Sequence, residues 1–464
     1  MADPRLVPSQ APRVVIVGAG PAGIRAAETF VQAGLRPVVV DEGQVSGGQI
    51  YRRQPAMFRR SYATLYGLEA DRAKAVHASF DRLAGQIDYH PDTLAWNVRD
   101  GVLHIAEGGL AKTLPFDALV LATGATDRLL PIKGWTLPGC YSLGAAQIAL
   151  KAQACAIGRR VVFLGTGPLL YLVSYQYAKA GVDVAAVLDT SSANGQMLAL
   201  GYMASRPAVL AKGLYYRALL MARRVAVHGG VTPLQIEGGE GVAAVRFRVG
   251  GGEQSIACDA VGMGFHLRSE TQLADLAHCD FVFDADLGQW RPQADQDGRA
   301  SVAGIYLAGD GARILGADAA EISGRLAALA ALKDLGRPVA EAELADLRRR
   351  QQTMGTFRRG LAKAFPWPAD LAKSVADDVL ICRCEAITAG ELRQAATGKG
   401  APELNRAKAL TRVGMGRCQG RFCGSAAAEI LADTRDETLA AVGRLRGQAP
   451  VKPLSMALMR EGGS

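Results

Sequence analysis

The sequence predicts an α/β protein: two strand–turn–helix–strand units, then a small C-terminal domain built around cysteines. Three observations carry that prediction. A glycine-rich turn follows the apolar run that starts at Val14, a second such turn follows the run Val161-Val-Phe-Leu164, and four cysteines gather between positions 382 and 423. The 464 residues suffice for about three domains. With 49% hydrophobic and 21% charged residues the chain reads as folded, which excludes a disordered or collagen-like protein. Every apolar run is cut by Gly, Pro or a charge before the roughly 18 residues needed to span a bilayer. The opening Met1-Ala-Asp-Pro-Arg-Leu-Val-Pro8 has neither the apolar core nor the small-residue cleavage site of a signal peptide, so a cytoplasmic location is expected. A net charge of +9 without a basic run interleaved with aromatics gives no expectation of nucleic-acid binding.

The first unit reads Val14-Val-Ile-Val-Gly-Ala-Gly-Pro-Ala-Gly23, then a helix, then Val38-Val-Val-Asp-Glu42. Gly18 permits the tight turn, Gly20 lets the backbone approach a pyrophosphate, and Gly23 lets the helix pack closely on the strand. The helix N-terminus, with Pro21 and Ala22, aims its dipole at the phosphates. An acid at the end of the second strand accepts the ribose hydroxyls. The count from Gly23 favours Asp41 for that place, and Glu42 remains open. The unit is expected to bind a dinucleotide.

Three further segments bear on which one. They are Gly47-Gly48-Gln49-Ile-Tyr-Arg52, the buried strand pattern Leu119-Val-Leu-Ala-Thr123-Gly124, and Gly304-Ile-Tyr-Leu-Ala-Gly309-Asp310-Gly311 before a helical pattern over 319–335. Together they resemble the two-dinucleotide-domain flavoproteins, the family of thioredoxin reductase and the sarcosine oxidase alpha subunits. That resemblance implies FAD, with Asp310 on its ribityl chain and the following helix aimed at the flavin ring. Read alone, Asp310 is also a helix N-cap.

In the second unit, Gly165 and Gly167 keep the turn, but Leu170 stands where a third glycine belongs, and its side chain would crowd either the phosphates or the helix–strand contact. Asp189 ends the next strand and is the candidate ribose acid. Three readings stay open here: an NAD(P) site, a site for another nucleotide, or a domain kept for packing or partner contact. No C-x-x-C occurs, which argues against a thiol–disulfide reductase. Cys140, Cys155, Cys258 and Cys279 lie far apart and read as small buried hydrophobes.

Residues 341–376, with Arg348-Arg-Arg350 and Phe365-Pro-Trp-Pro368, read as a linker, which Phe365 and Trp367 could also anchor on a neighbour. Beyond it, Cys382-Arg-Cys384 is a C-x-C and Cys418-Gln-Gly-Arg-Phe-Cys423 a C-x4-C. Clustered thiols in a reducing compartment favour zinc or an iron–sulfur cluster, and zinc sites more often use C-x2-C pairs. The asymmetric spacing, flanked by glycines, resembles the bacterioferritin-associated ferredoxin type of [2Fe-2S] fold, which implies Cys382, Cys384, Cys418 and Cys423 as ligands. Arg383, Lys408, Arg412, Arg417 and Arg421 would stabilise the negative cluster and leave a basic docking surface. Thr388 and Glu391 have the spacing of a capping box.

The order of these parts, with Pro138-Gly-Cys-Tyr-Ser-Leu-Gly-Ala-Ala-Gln147 and Thr411-Arg-Val-Gly-Met-Gly-Arg-Cys418, resembles one subunit type over nearly the whole chain. It is the cluster-bearing flavoprotein subunit of bacterial opine oxidases, hydroxyproline and proline dehydrogenases and hydrogen cyanide synthases. Length and layout are most similar to the hydrogen cyanide synthase type, which implies glycine as donor, oxidised to cyanide and carbon dioxide. The resemblance implies an electron-transfer subunit in a heteromeric complex. A separate FAD subunit of amino-acid-oxidase type would attack the C–N bond, with an interface FMN and a small [2Fe-2S] subunit in some members. Electrons would go to a respiratory acceptor, and the assembly would sit on the inner face of the cytoplasmic membrane. Two alternatives stand beside this: an NAD(P)H-dependent reductase acting alone, and a redox-sensing interaction module. The expected domains are 1–135 with 290–340 for FAD, 136–289 for the second unit, 341–376 as linker, 377–443 for the cluster and 444–464 as tail.

Overall fold

The computed structural model describes residues 11–459, so the opening segment on which the cytoplasmic expectation rests lies outside the described residues, as does the end of the expected tail. Val14–Val17 is a strand whose four side chains are all buried. A strand covered on both faces needs such a continuous apolar run in place of alternation. It pairs in parallel with Val38–Val40 on one side and Ala118–Leu121 on the other, and Ile305–Leu307 and Asp88–His90 complete a five-stranded parallel sheet. A second five-stranded sheet runs in the order Ala226–Gly229, Asp183–Asp189, Arg160–Thr166, Ala260–Phe265, Cys140–Ser142. The helices Pro21–Gln32 and Pro168–Lys179 each begin on proline, whose missing N–H costs nothing at a first helical position.

The return helix Ala317–Asp334 lies across Pro21–Gln32. Gly324 permits the crossing: a Cβ there would stand 2.0 Å from the Ala22 carbonyl oxygen. Sequence periodicity places this helix over 319–335, close to its observed extent.

Several boundaries differ from expectation. The chain passes between the two halves through the antiparallel strands Ala125–Asp127 and Leu267–Ser269. Leu129, Leu130, Ile132 and Trp135 therefore already pack with Val162 and Leu164 of the second sheet, while Leu273, Ala274 and Cys279 pack with Val15 and Leu119 of the first. The expected linker is mostly the 24-residue helix Glu341–Ala364. Its Leu344 and Leu347 join the first core, and Phe357 and Ala364 pack on Ala199 and Met203 beside the second sheet. The described part of the expected tail packs back onto the body. Arg444 forks onto Asp275 at 2.6 and 2.7 Å, and Val451 is buried in the first-domain core.

The cluster domain pairs Leu380–Cys382 with Ile387–Thr388 and adds the helices Ala389–Thr397, Leu404–Thr411 and Gly424–Arg435. The capping box is formed: the Thr388 hydroxyl accepts from the Glu391 N–H at 3.2 Å, and Glu391 accepts from the Thr388 N–H at 2.8 Å. Its core is continuous with that of the second sheet. The buried Arg128 guanidinium lies 3.7 Å from the centroid of Trp367, whose indole N–H donates to Glu429 at 2.9 Å. Trp367→Ala is expected to cost about 3 kcal/mol, from lost burial and a lost cation–π contact, measured as a lower denaturation midpoint in urea. Cys258 and Cys279 are buried as expected, whereas Cys140 is only partly buried and Cys155 is exposed. Cys155 fails the expectation because it sits in the irregular connection between the helix Leu143–Ala152 and the strand Arg160–Thr166.

Candidate functional site: a nucleotide cradle joined to a thiol loop

Gly18, Gly20 and Gly23 form the turn between the first strand and its helix, with Pro21 and Ala22 buried at the helix start. The turn admits backbone but no side chains: a Cβ on Gly23 would lie 1.8 Å from the Gly18 carbonyl oxygen, and one on Gly48 would lie 2.9 Å from the Gly20 Cα. That is the space a pyrophosphate cradle requires. Asp41 closes the turn, its carboxylate accepting from the Ala19 N–H and, at 2.5 Å, from the Gly43 N–H. Burial pushes its carboxyl up, against the two backbone hydrogen bonds. Glu42 is exposed and pairs with Lys452, so of the two acids the structure brings Asp41 into the cradle. Gln49 is exposed, and its amide oxygen accepts from Arg52 at 2.8 Å.

The Thr123-Gly124 turn and the Gly309-Asp310-Gly311 turn meet: a Cβ on Gly311 would stand 2.7 Å from the Thr123 hydroxyl. Asp310 accepts from the N–H groups of Leu315 and Gly316 at 2.9 and 3.1 Å, just ahead of the return helix. Burial pushes its carboxyl up against these bonds. A carboxylate has about four acceptor sites, so capping the loop and receiving a ribityl hydroxyl are compatible.

The second unit is built differently. Leu170 is fully buried in the core formed with Val161 and Phe163, which is why no glycine is needed there. Asp189 has no exposed surface: it accepts from the Tyr171 hydroxyl at 2.7 Å and from the Ser191 N–H at 2.8 Å. The carboxylate of the candidate ribose acid is thus already engaged inside the protein. Gly165 and Gly167 keep the turn, but the His266 ring lies over Gly167, where a Cβ would come within 3.2 Å of it. His266 donates through Nε2 to the carbonyl of Phe365, and burial pushes its pKa down to about 4, so it is neutral. The Phe365 ring stands 6.4 Å from that of Tyr171. Phe365, at the end of the long helix, thus packs against the core of the second unit beside this turn.

In the cluster domain Cys382 ends a strand, Cys384 lies in the following turn, and Cys418 and Cys423 lie in the loop ahead of Gly424–Arg435. The thiols form a chain of contacts, Cys384 to Cys418, Cys418 to Cys423 and Cys423 to Cys382. Among the described residues no three His, Cys, Asp or Glu side chains surround one point as a single-ion site would have them. The hydrogen bond from Cys423 brings Cys382 down to about 6 and Cys418 to about 5, with burial opposing, while burial pushes Cys384 up and the same hydrogen bonds push Cys423 up, so two of the four thiols lean toward the thiolate, the form that ligates metal. Four thiols and no other donor suit a [2Fe-2S] cluster. Of the expected basic set, Arg412 pairs with Glu385 at 2.7 Å, and Lys408 and Arg421 are buried, so these two add nothing to a docking surface.

Between the cradle and the thiol loop lie residues 268–272, which carry no sequence signal. Glu270 holds Arg421 through two bonds of 2.6 and 3.0 Å. Burial alone would raise the Glu270 carboxyl; the Arg421 charge and hydrogen bonds, with Arg268, bring it below the usual carboxylate range. Also unforeseen is Lys151, buried between the halves, whose ammonium donates to the Ile50 carbonyl at 3.0 Å and is pushed down to about 8 by burial.

These features define a flavin-type oxidoreductase with an appended iron–sulfur domain, and the chain belongs to the pyridine nucleotide-disulphide oxidoreductase family, which it matches over residues 12–324. A BFD-like [2Fe-2S] binding domain matches residues 380–433, so the two matches imply FAD and a [2Fe-2S] cluster. More particularly, the chain is 39% identical to an opine oxidase subunit from Rhizobium meliloti, over 96% of this chain and 86% of that one. It is 28% identical to hydrogen cyanide synthase subunit HcnB of Pseudomonas protegens, over 95% of this chain and 96% of the relative. The crystal structure of L-proline dehydrogenase from P. horikoshii superposes with a TM-score of 0.72 at 20% identity, covering 97% of this chain and 79% of that one, a likeness of fold.

Proposed function

We propose that this chain is the electron-accepting FAD and [2Fe-2S] subunit of a heteromeric dehydrogenase acting on a C–N bond. The observation that carries the reading is the junction of the two redox seats: the turn that would hold the flavin and the loop of four thiols are bound to one short segment of the same chain. When bound, FAD takes electrons in pairs and the cluster passes them singly, so the two form a converter. Gly18, Gly20 and Gly23 would seat the pyrophosphate, Asp41 the ribose and Asp310 the ribityl chain. Cys382, Cys384, Cys418 and Cys423 would ligate the iron.

The higher identity with the opine oxidase relative than with HcnB favours an opine over glycine as the donor of the assembly. A partner FAD subunit of amino-acid-oxidase type would take the hydride, and a small [2Fe-2S] subunit could complete the complex. A further FMN at the interface belongs to the proposal: a cavity of about 620 Å³ beside Gly309, with Arg291, Arg313 and Arg359 on its wall, offers cations to a phosphate. Among the described residues no helix is long and apolar enough to cross a membrane. In this proposal the electrons go on to a respiratory acceptor, with the assembly attached peripherally to the inner face of the membrane.

The test is direct. The purified chain should hold FAD and about two irons yet oxidise neither an opine nor glycine by itself. Measurable turnover of either donor by the single chain would refute the division of labour. A companion prediction follows from Tyr171, His266 and Phe365: anaerobic NADH or NADPH should leave the flavin absorbance unchanged, and bleaching would reinstate the stand-alone reductase.

A further inference from the structure

Residues 268–272 face the flavin turns with one side and the thiol loop with the other. Toward the flavin turns, the Glu270 carbonyl accepts from the Thr123 hydroxyl at 2.6 Å, the Glu270 N–H donates to the Gly124 carbonyl at 3.0 Å, and the Ser269 hydroxyl donates to the Asp310 carbonyl at 2.6 Å. Toward the thiol loop, Arg268 donates to the carbonyls of Gly420 and Arg421 at 3.2 and 3.0 Å, and Gln272 to that of Gln419 at 2.7 Å. The Glu270 carboxylate holds Arg421, which donates in turn to the carbonyl of Cys418 at 3.2 Å. Arg268 lies in the strand Leu267–Ser269 and Gln272 opens the helix Gln272–Leu276, so the thiol loop is gripped from a strand, the connection at Glu270 and the first turn of a helix.

We propose that this strap is a positioning device: Arg268, Glu270 and Gln272 set the thiol loop against the flavin turns, and the Glu270–Arg421 pair tunes the potential of the cluster. The inference rests on the function proposed above. Reduction adds one electron, and so one negative charge, to the cluster. Arg268 and Arg421 favour that state and Glu270 opposes it. Arg421 is buried and Arg268 and Glu270 are half-buried, where salt screens less than at the surface. Glu270→Gln keeps the shape and a hydrogen-bond acceptor while removing the opposing charge. Gln272→Leu removes a link to the loop without changing any charge.

The two variants separate tuning from positioning. In an EPR-monitored redox titration of the full chain, Glu270→Gln should raise the cluster potential and shift the partition of one electron toward the cluster about tenfold, about 59 mV. Flavin and iron contents should match those of the wild type. Gln272→Leu should leave the potential in place. It should slow the concentration-independent transfer from flavin to cluster about tenfold after a flash that delivers one electron from photoexcited deazariboflavin and a sacrificial amine. An unchanged potential in Glu270→Gln, or a wild-type rate in Gln272→Leu, would overturn the corresponding half of the proposal. Loss of iron from both variants would reduce the strap to a folding role and overturn all of it. If the wild-type chain itself showed no exchange between flavin and cluster, the proposed function would fail. Wild-type exchange with indifferent variants would sink only this inference.

Discussion

Replacing Cys418 with serine is expected to abolish the cluster, taking iron from about two per chain to background and erasing the cluster's visible absorbance and EPR signal, while FAD is retained. Cys418 is the middle of the thiol chain, in contact with both Cys384 and Cys423, and it is the thiol brought down to about 5. A serine hydroxyl at neutral pH remains protonated and is a poor substitute for a thiolate on iron. Retention of FAD is expected because the apolar residues around the cradle, Val17, Ala19, Ala22 and Val40, belong to cores separate from that of the cluster domain. Stability of the C-terminal domain should fall as well, since ligation energy is folding energy when the site forms only in the folded chain. The helix Gly424–Arg435 begins directly after Cys423, a proposed ligand, so the loss should register there first, as faster hydrogen exchange in that helix. Iron at wild-type content in Cys418→Ser would remove this residue from the ligand set.

The second large effect is steric. Gly324→Ala puts a methyl group 2.0 Å from the Ala22 carbonyl oxygen, an atom of helix backbone that cannot turn aside. The two helices must separate, which pulls Pro21–Gln32 away from the turn it anchors. A cost above about 3 kcal/mol is expected, a large share of the 5–15 kcal/mol that holds a domain together. FAD should be lost even at temperatures where the chain remains folded, because Ala22 is part of the turn. Calorimetry and the flavin-to-protein absorbance ratio measure the two effects. Gly355, in the long helix with open space around it, is the control: alanine there should be neutral or slightly stabilising.

The two predictions differ in how far the sequence announced them. The iron–sulfur domain was legible, because metal ligation depends on residue type and spacing, and Cys382, Cys384, Cys418 and Cys423 within the matched residues 380–433 carry both. The glycine turn of the first cradle was legible for the same reason, whereas the distance from Gly23 favoured Asp41 and left Glu42 open; it is Asp41 that hydrogen-bonds to the turn. Gly324 was not: nothing in Ala319-Ala-Glu-Ile-Ser-Gly324 marks a helix crossing, since the steric demand comes from a backbone 302 positions away. Glu270 and Arg421 stand 151 positions apart and form no motif, so their pairing emerges only from the way the thiol loop docks. In the second unit Leu170 did signal a departure from a nicotinamide site. What packs there, Phe365 at the end of the long helix, belongs to a stretch that reads in sequence as a linker with Phe365 and Trp367 as anchors on a neighbour. Domain boundaries slipped for a related reason. The strands Ala125–Asp127 and Leu267–Ser269 are each three residues long, too short to show a pattern, yet they mark where the chain changes domain.

The central claim is that this chain receives electrons from a partner that does the substrate chemistry. The most direct measurement is affinity purification of the tagged chain from its native cell, followed by anaerobic visible and EPR spectra before and after addition of an opine. The account predicts a second flavoprotein in the purified complex, with flavin and cluster of this chain reduced by the donor only while that partner is present. A chain that comes down alone and is reduced by NAD(P)H, or that oxidises the opine without a partner, would contradict it.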